Sequence, residues 1–176
     1  VPLRLGKEVQ ALPRGAGLTG LSPLAPSAAL LDLNNAHAVE LSFLTGAAFA
    51  RLAGLAFHAR QAGEADAFLI ALDQDADYDN PNFRWMRSRF ERFVYIDRVV
   101  VAPEARGRGL AGALYADLFT AAQAAGHTRI VCEVNSDPPN PASDAFHARL
   151  GFAEVGAATL PGGAKTVRYL SRTIAL

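Results

Sequence analysis

The stretch VVVAPEARGRGLAGALYADLF, residues 99–119, runs from three valines through a turn of glycines and arginines into a segment rich in alanine and leucine. The valines are β-branched and suit a strand, whereas Leu110, Leu114, Leu118 and Ala121 recur at helical spacing. A strand therefore passes into a helix within RGRGLA. The first amides of a helix have no internal acceptor and point outward with partial positive charge. Gly107 and Gly109 remove the Cβ atoms that would keep a bulky group away, and Arg106 and Arg108 add full charges beside them. The physical reading is a cradle for a pyrophosphate.

Two other phosphate-binding patterns compete with it. Gly107, Gly109 and Gly112 spell G-x-G-x-x-G, and Glu133 follows about 20 residues later, where a nicotinamide dinucleotide site needs an acid for its ribose. In that fold, however, the first glycine follows its strand almost directly, whereas residues 102–106, a proline among them, intervene here. Only one helix and a hairpin remain downstream, too little for a doubly wound sheet. A nucleoside-triphosphatase loop fails because no lysine followed by Ser or Thr comes after the second glycine. A plain turn with solvated arginines is the remaining alternative, and the interleaving of two arginines with two glycines at a helix start makes it the weaker one.

The rest of the chain bounds what such a site serves. With 176 residues, 51% of them hydrophobic, it suits a single globular domain, read as an irregular lead-in over residues 1–27 and one domain over 28–176. Seventeen basic and seventeen acidic residues balance to zero, which gives no reason to expect nucleic acid or an anionic membrane as partner. The one cysteine, Cys132, excludes an internal disulfide and points to a reducing cytoplasm. No apolar run reaches the roughly 18 to 20 residues of a membrane helix. Asp73, Asp75 and Asp77 imitate the start of a calcium loop, but Tyr78 and Arg84 stand where that loop needs glycine and a bidentate glutamate, so no metal is expected.

Along the chain, AALLDL (28–33) reads as a short strand, and Thr45 as the N-cap of a helix ending near Gly63. DAFLIALD (66–73) and RFVYIDRVVVA (92–102) read as strands around a helical turn that carries Trp85. RIVCEV (129–134) is a buried strand, and Asn140 with Pro141 caps a short helix that Gly151 terminates. Residues 152–160 and 166–174 form a hairpin around PGGAK.

With these residues in place, the sequence resembles the GNAT superfamily of N-acetyltransferases. The signature Arg/Gln-x-x-Gly-x-Gly/Ala after a Val-x-Pro-like turn is matched by Val101, Pro103, Arg106, Gly109 and Ala111, and downstream NPASDAFHARLGF matches at Asn140 and at Gly151-Phe152. The likeness is close over residues 93–152 and extends over residues 1–92 only in the order of elements. It implies a mixed α/β acyl-CoA N-acyltransferase fold: a mostly antiparallel twisted sheet, flanked by helices, whose central strands splay apart. It further implies acetyl-CoA as cosubstrate, without a metal, and an amine acceptor that is a small molecule or a peptide. A homodimer is left open.

The resemblance also suggests roles. The diphosphate would lie on Arg106, Gly107, Arg108, Gly109, Leu110 and Ala111, and the pantetheine arm along the backbone of Val99, Val100 and Val101. Asn135 and Asn140 are further candidates for the arm, Asn140 being also an N-cap. The amine attacks the thioester directly, so a base and an acid are needed. The family's usual acid is a tyrosine four residues before Gly-Phe; here that place holds His147, which titrates near neutrality and is a candidate for either task, besides a contact to the cosubstrate. Asp97, an acid in an apolar strand, is the first base candidate, although it also stands beside Arg98 as an ion-pair partner. Glu133 is the second. His58, Tyr78 and Trp85 are aromatic candidates for the acceptor side, none of them singled out.

Overall fold

A computed structural model describes residues 20–175. Its elements are β1 (Leu21–Pro23), α1 (Ala28–Ala36), α2 (Ala38–Leu41), α3 (Gly46–Leu55), β2 (His58–Ala62), β3 (Ala67–Asp73), α4 (Pro81–Arg87), β4 (Val94–Val101), α5 (Leu110–Ala124), β5 (Arg129–Asp137), α6 (Pro141–Arg149), β6 (Ala153–Thr159) and β7 (Thr166–Thr173). The strands form one sheet in the order β1-β2-β3-β4-β5-β7-β6. All neighbours are antiparallel except β4 and β5, which the α5 crossover joins in parallel.

The apolar runs explain the layering. Along β3, Phe68, Ile70 and Leu72 pack into one core with Leu30, Phe49, Phe83 and Met86, while Leu69 and Ala71 pack into the other with Leu114, Tyr115 and Leu118. Helices therefore cover both faces, α1, α3 and α4 on one and α5 on the other. That is why β3 reads as an unbroken hydrophobic run rather than an alternating one. Burying each leucine, isoleucine, phenylalanine or methionine among them contributes about 1.5–3 kcal/mol.

Two expected elements take another form. Residues 28–33 are not a strand but the start of α1: the Ser27 side chain accepts from the Leu30 amide, and Leu30 and Leu33 turn to the core at helical spacing. The helix capped by Thr45 forms as expected but ends at Leu55, because His58–Ala62 leaves it to pair with β3. Of the expected irregular lead-in, residues 1–19 lie outside the described residues, and Leu21–Pro23 extends the sheet as β1 beside β2.

The splay of the central strands is plain in the pairing. Strands β4 and β5 meet only at Val94↔Ile130 and Tyr95↔Val131. Beyond Tyr95, β4 stays fastened to β3 as far as Val101, and beyond Val131, β5 stays fastened to β7 as far as Asp137. Each strand is held on its outer side, so the gap between them opens without loosening the sheet. No helix among the described residues is long and apolar enough to cross a membrane.

Candidate active site

The turn after β4 is built for outward-facing amides. Pro103–Ala105 makes one turn of 3-10 helix, and Gly107 and Gly109 then adopt left-handed φ angles of 77° and 75°. A Cβ at either position would meet nothing within 4 Å, so it is the backbone conformation, not crowding, that calls for glycine. Helical bonding resumes only when the Ala113 amide donates to the Gly109 carbonyl. Among the described residues, the amides of residues 107–112 reach no backbone acceptor. Arg108 leans away from this run and donates to Asp66 Oδ2 at 2.8 Å, while Arg106 stands 3.4 Å from His37 Nε2. Arg149, at the end of α6, joins Arg106 along the 330 Å³ groove over the turn; sequence reading did not single it out.

From this groove the surface continues inward. A cavity of 480 Å³ shares Val101, Arg106, Ala111 and Phe146 with the groove and runs past Val99 and Val100 to Asn140 and His147. It shares Val99, Asn140, Ser143 and His147 with a 100 Å³ cleft between the splayed strands, which Asp97, Tyr115, Glu133 and Asn135 also line. The fold thus brings all the expected site residues from β4, β5 and α6 to one continuous channel. Asn140 caps α6 by accepting from the Ser143 amide at 3.3 Å, and Asn135 extends its amide toward the Val39 carbonyl at 3.5 Å.

Three carboxylates line the cleft, Glu40 of α2 with Asp97 and Glu133, and the two on the strands differ sharply. Asp97 is fully engaged: Oδ2 accepts from Arg98 Nε at 2.6 Å and Oδ1 from the Tyr78 hydroxyl at 2.7 Å. Arg98 in turn donates to Asn34 at 2.8 Å, which fixes the pair inside the protein. Glu133 accepts at Oε1 from Asn82 Nδ2 and from the Tyr95 hydroxyl, both at 3.0 Å. Its Oε2 is buried with no partner among the described residues. Burial, reinforced by the negative charge of Asp97, pushes the Glu133 carboxyl up to about 8, against the two hydrogen bonds that favour its charged form.

His147 is buried, with Nδ1 2.8 Å from the Ser143 carbonyl and 3.2 Å from its hydroxyl, while Nε2 lies 2.8 Å from the Tyr115 hydroxyl. Burial lowers its pKa, outweighing the Ser143 carbonyl and Asp144. The Ser143 contact was legible, since residues four apart share a helix face. Tyr115 was not: it stands in the apolar stripe of α5 and meets His147 only through the fold.

The aromatic candidates separate. Tyr78 reaches the cleft through Asp97. Trp85 stacks on Tyr169 at a centroid distance of 4.0 Å, the Arg89 guanidinium lies over the Trp85 ring at 4.5 Å, and Tyr169 donates to Asn82, which holds Glu133. His58 turns to α5 instead: it pairs with Asp117 at 2.8 Å, beside Arg60, and lines none of the three cavities.

Comparison with known proteins agrees with this geometry. Residues 41–152 match the Acetyltransferase (GNAT) family. No curated protein sequence matches the chain. Among solved structures, Ard1 from Thermoplasma volcanium aligns with a TM-score of 0.68 at 13% identity, covering 89% of this chain and 97% of that one. The ribosomal-protein-S18-alanine N-acetyltransferase from Escherichia coli aligns at 0.62 and 18% identity, covering 89% and 94%. NAA60 from Arabidopsis thaliana, solved in complex with acetyl-CoA, aligns at 0.65 and 17%, covering 88% and 97%. These structures share the fold, and the family match covers most of the chain: it belongs to the GNAT family of acetyltransferases.

Proposed function

We propose that the protein transfers the acetyl group of acetyl-CoA to a primary amine of a small molecule or peptide by direct attack. One observation carries the reading: three cavities that share lining residues lead from the free amides of residues 107–112 to Glu133, whose Oε2 has no partner among the described residues. The residues fit the cosubstrate. Arg106, Gly107, Arg108, Gly109, Leu110 and Ala111 receive the diphosphate, with Arg149 added from α6. Past Tyr95, the edge of β4 facing β5 has no strand partner, so Val99, Val100 and Val101 are free to bond the amide-bearing arm, flanked by Asn135 and Asn140.

Chemistry then requires a base beside the acetyl carbon. Glu133 takes this role, since it lines the cleft with one oxygen unpartnered among the described residues and its pKa of about 8 suits an amine proton. Asp97, the first candidate from sequence, has both oxygens occupied; its charge raises the basicity of Glu133. His147, on α6, lines the same cleft. The buried Cys132 thiol and the balanced charge support a cytoplasmic protein acting on a soluble acceptor.

Thiol release from acetyl-CoA in the presence of primary amines tests the reading, together with thermal shift. A ligand at 100 times its Kd stabilises by about 2.7 kcal/mol. Stabilisation by NAD and not by acetyl-CoA would overturn it, and binding without transfer to any amine would make the protein a non-catalytic acyl-CoA module.

A further inference from the structure

We propose that the proton for the departing thiol comes from the phenol of Tyr115 on α5, and that His147 is the positioning residue that holds this phenol at the cleft. The inference rests on the acetyltransferase reading above and assigns a residue outside the family's motif. Tyr115 and His147 line the same 100 Å³ cleft as Glu133, and the phenol oxygen lies 2.8 Å from His147 Nε2.

The hydrogen bonds decide which of the two gives the proton. Burial keeps the imidazole neutral, so it carries a single ring proton. The Ser143 carbonyl, 2.8 Å from Nδ1, accepts only from an N–H, which puts that proton on Nδ1. Nε2 is then an acceptor, and the Tyr115 hydroxyl donates to it. Nε2 thus has no proton to give, whereas the phenol beside it carries one. Among the described residues the Tyr115 hydroxyl has no other polar partner, and its ring is wedged edge-on against Phe146, Phe119 and Phe152 at centroid distances of 5.0, 5.9 and 6.2 Å. The ring is fixed, and only the O–H is free to turn.

The step balances as follows. The amine nitrogen bonds to the acetyl carbon, and the C–S bonding pair leaves on sulfur. The Tyr115 O–H turns from Nε2 to sulfur and its proton completes the thiol, while Glu133 Oε2 takes the proton shed by the amine. Water restores the proton to the phenolate and removes the one on Glu133. Burial, with charge from Cys132 and Glu133, pushes the phenol pKa well up, so the resting phenol is protonated and its transfer must run together with C–S cleavage.

The ranking of two variants tests the assignment. Steady-state thiol release is measured with a peptide bearing a free N-terminus, a lysine peptide and a short polyamine, using whichever the wild type acetylates fastest. Acetyl-CoA affinity and circular dichroism are followed in parallel. Tyr115→Phe removes one oxygen from a site the ring still fills; it lowers kcat by about 10²- to 10⁴-fold with unchanged acetyl-CoA affinity. His147→Phe keeps the phenol and costs less. Adding His147→Tyr to Tyr115→Phe returns a phenol from α6 and recovers at least about tenfold of the loss, a rescue that a packing role would not give. Should Tyr115→Phe turn over within about twofold of wild type, or His147→Phe be the more damaging of the two, the phenol is not the donor. A wild type that acetylates none of the amines removes the acetyltransferase reading itself, which separates the two failures.

Discussion

Replacing Glu133 by Gln separates catalysis from stability in a single side chain. The Gln carbonyl keeps both hydrogen bonds, from Asn82 and from Tyr95, and its amide occupies the place of Oε2, where no partner is lost. The fold is therefore retained, while the proton acceptor disappears and kcat/KM falls by about 10²- to 10⁴-fold. In the wild type, a pKa of about 8 leaves only about 1% of the carboxylate ionised at pH 6, so activity climbs roughly tenfold per pH unit toward a plateau above pH 8. The variant lacks this limb, and the comparison removes the titration of the acceptor amine common to both. Stability moves the other way. The folded protein holds the Glu133 proton more tightly than the unfolded chain, whose carboxyl titrates near 4.5, so wild-type stability falls as pH rises between 4.5 and 8. The full interval corresponds to on the order of 5 kcal/mol, an upper bound that relaxation and water entry reduce. Glu133→Gln is thus expected to melt close to wild type at pH 5 and several degrees above it at pH 8, by differential scanning calorimetry. A variant that keeps its activity, or whose advantage in Tm is the same at both pH values, would refute the assignment of Glu133 as a buried base.

Two further predictions concern the channel and its wall. Arg106→Glu weakens acetyl-CoA binding more than Arg108→Glu in calorimetric titrations, because Arg108 is shared with Asp66 in an exposed pair worth at most about 1 kcal/mol; equal losses would contradict this division. Gly156→Ala on β6 drives a Cβ to 2.5 Å from Trp85 Cζ2 and destabilises by about 1–3 kcal/mol in urea titration, with a change in tryptophan fluorescence as the indole leaves Tyr169.

The cradle was legible in the sequence because it is local: glycines, arginines and a helix start lie within six residues, and the structure keeps them together. Asn140 as a cap was legible for the same reason. The strand expected at residues 28–33 shows where locality fails, since a short run of alanine and leucine fits either period until the Ser27 cap and the packing of Leu33 decide it. The reason offered for the glycines was also only half right: their left-handed φ, not the room they leave, is what the turn demands. The cleft itself was the least legible part. Tyr115 meets His147 across 32 residues, Asn82 meets Glu133 across 51, and the contrast between Asp97 and Glu133 depends on Tyr78, Arg98 and Tyr95, partners that only the assembled sheet supplies.

The parting of β4 and β5 after two residue pairs makes the channel a measuring device. On the proposed reading, one end is a fixed stop for the diphosphate at the start of α5, and the other is the carboxylate of Glu133 on β5. On that same reading, a guest laid along β4 as an extra strand is graded by its reach: an arm of the right length brings its thioester to Glu133, and one that is shorter or longer binds with its reactive carbon out of register. Selection of the acyl donor is then written in the spacing of two strands, and selection of the amine is left to surfaces that can vary without altering it.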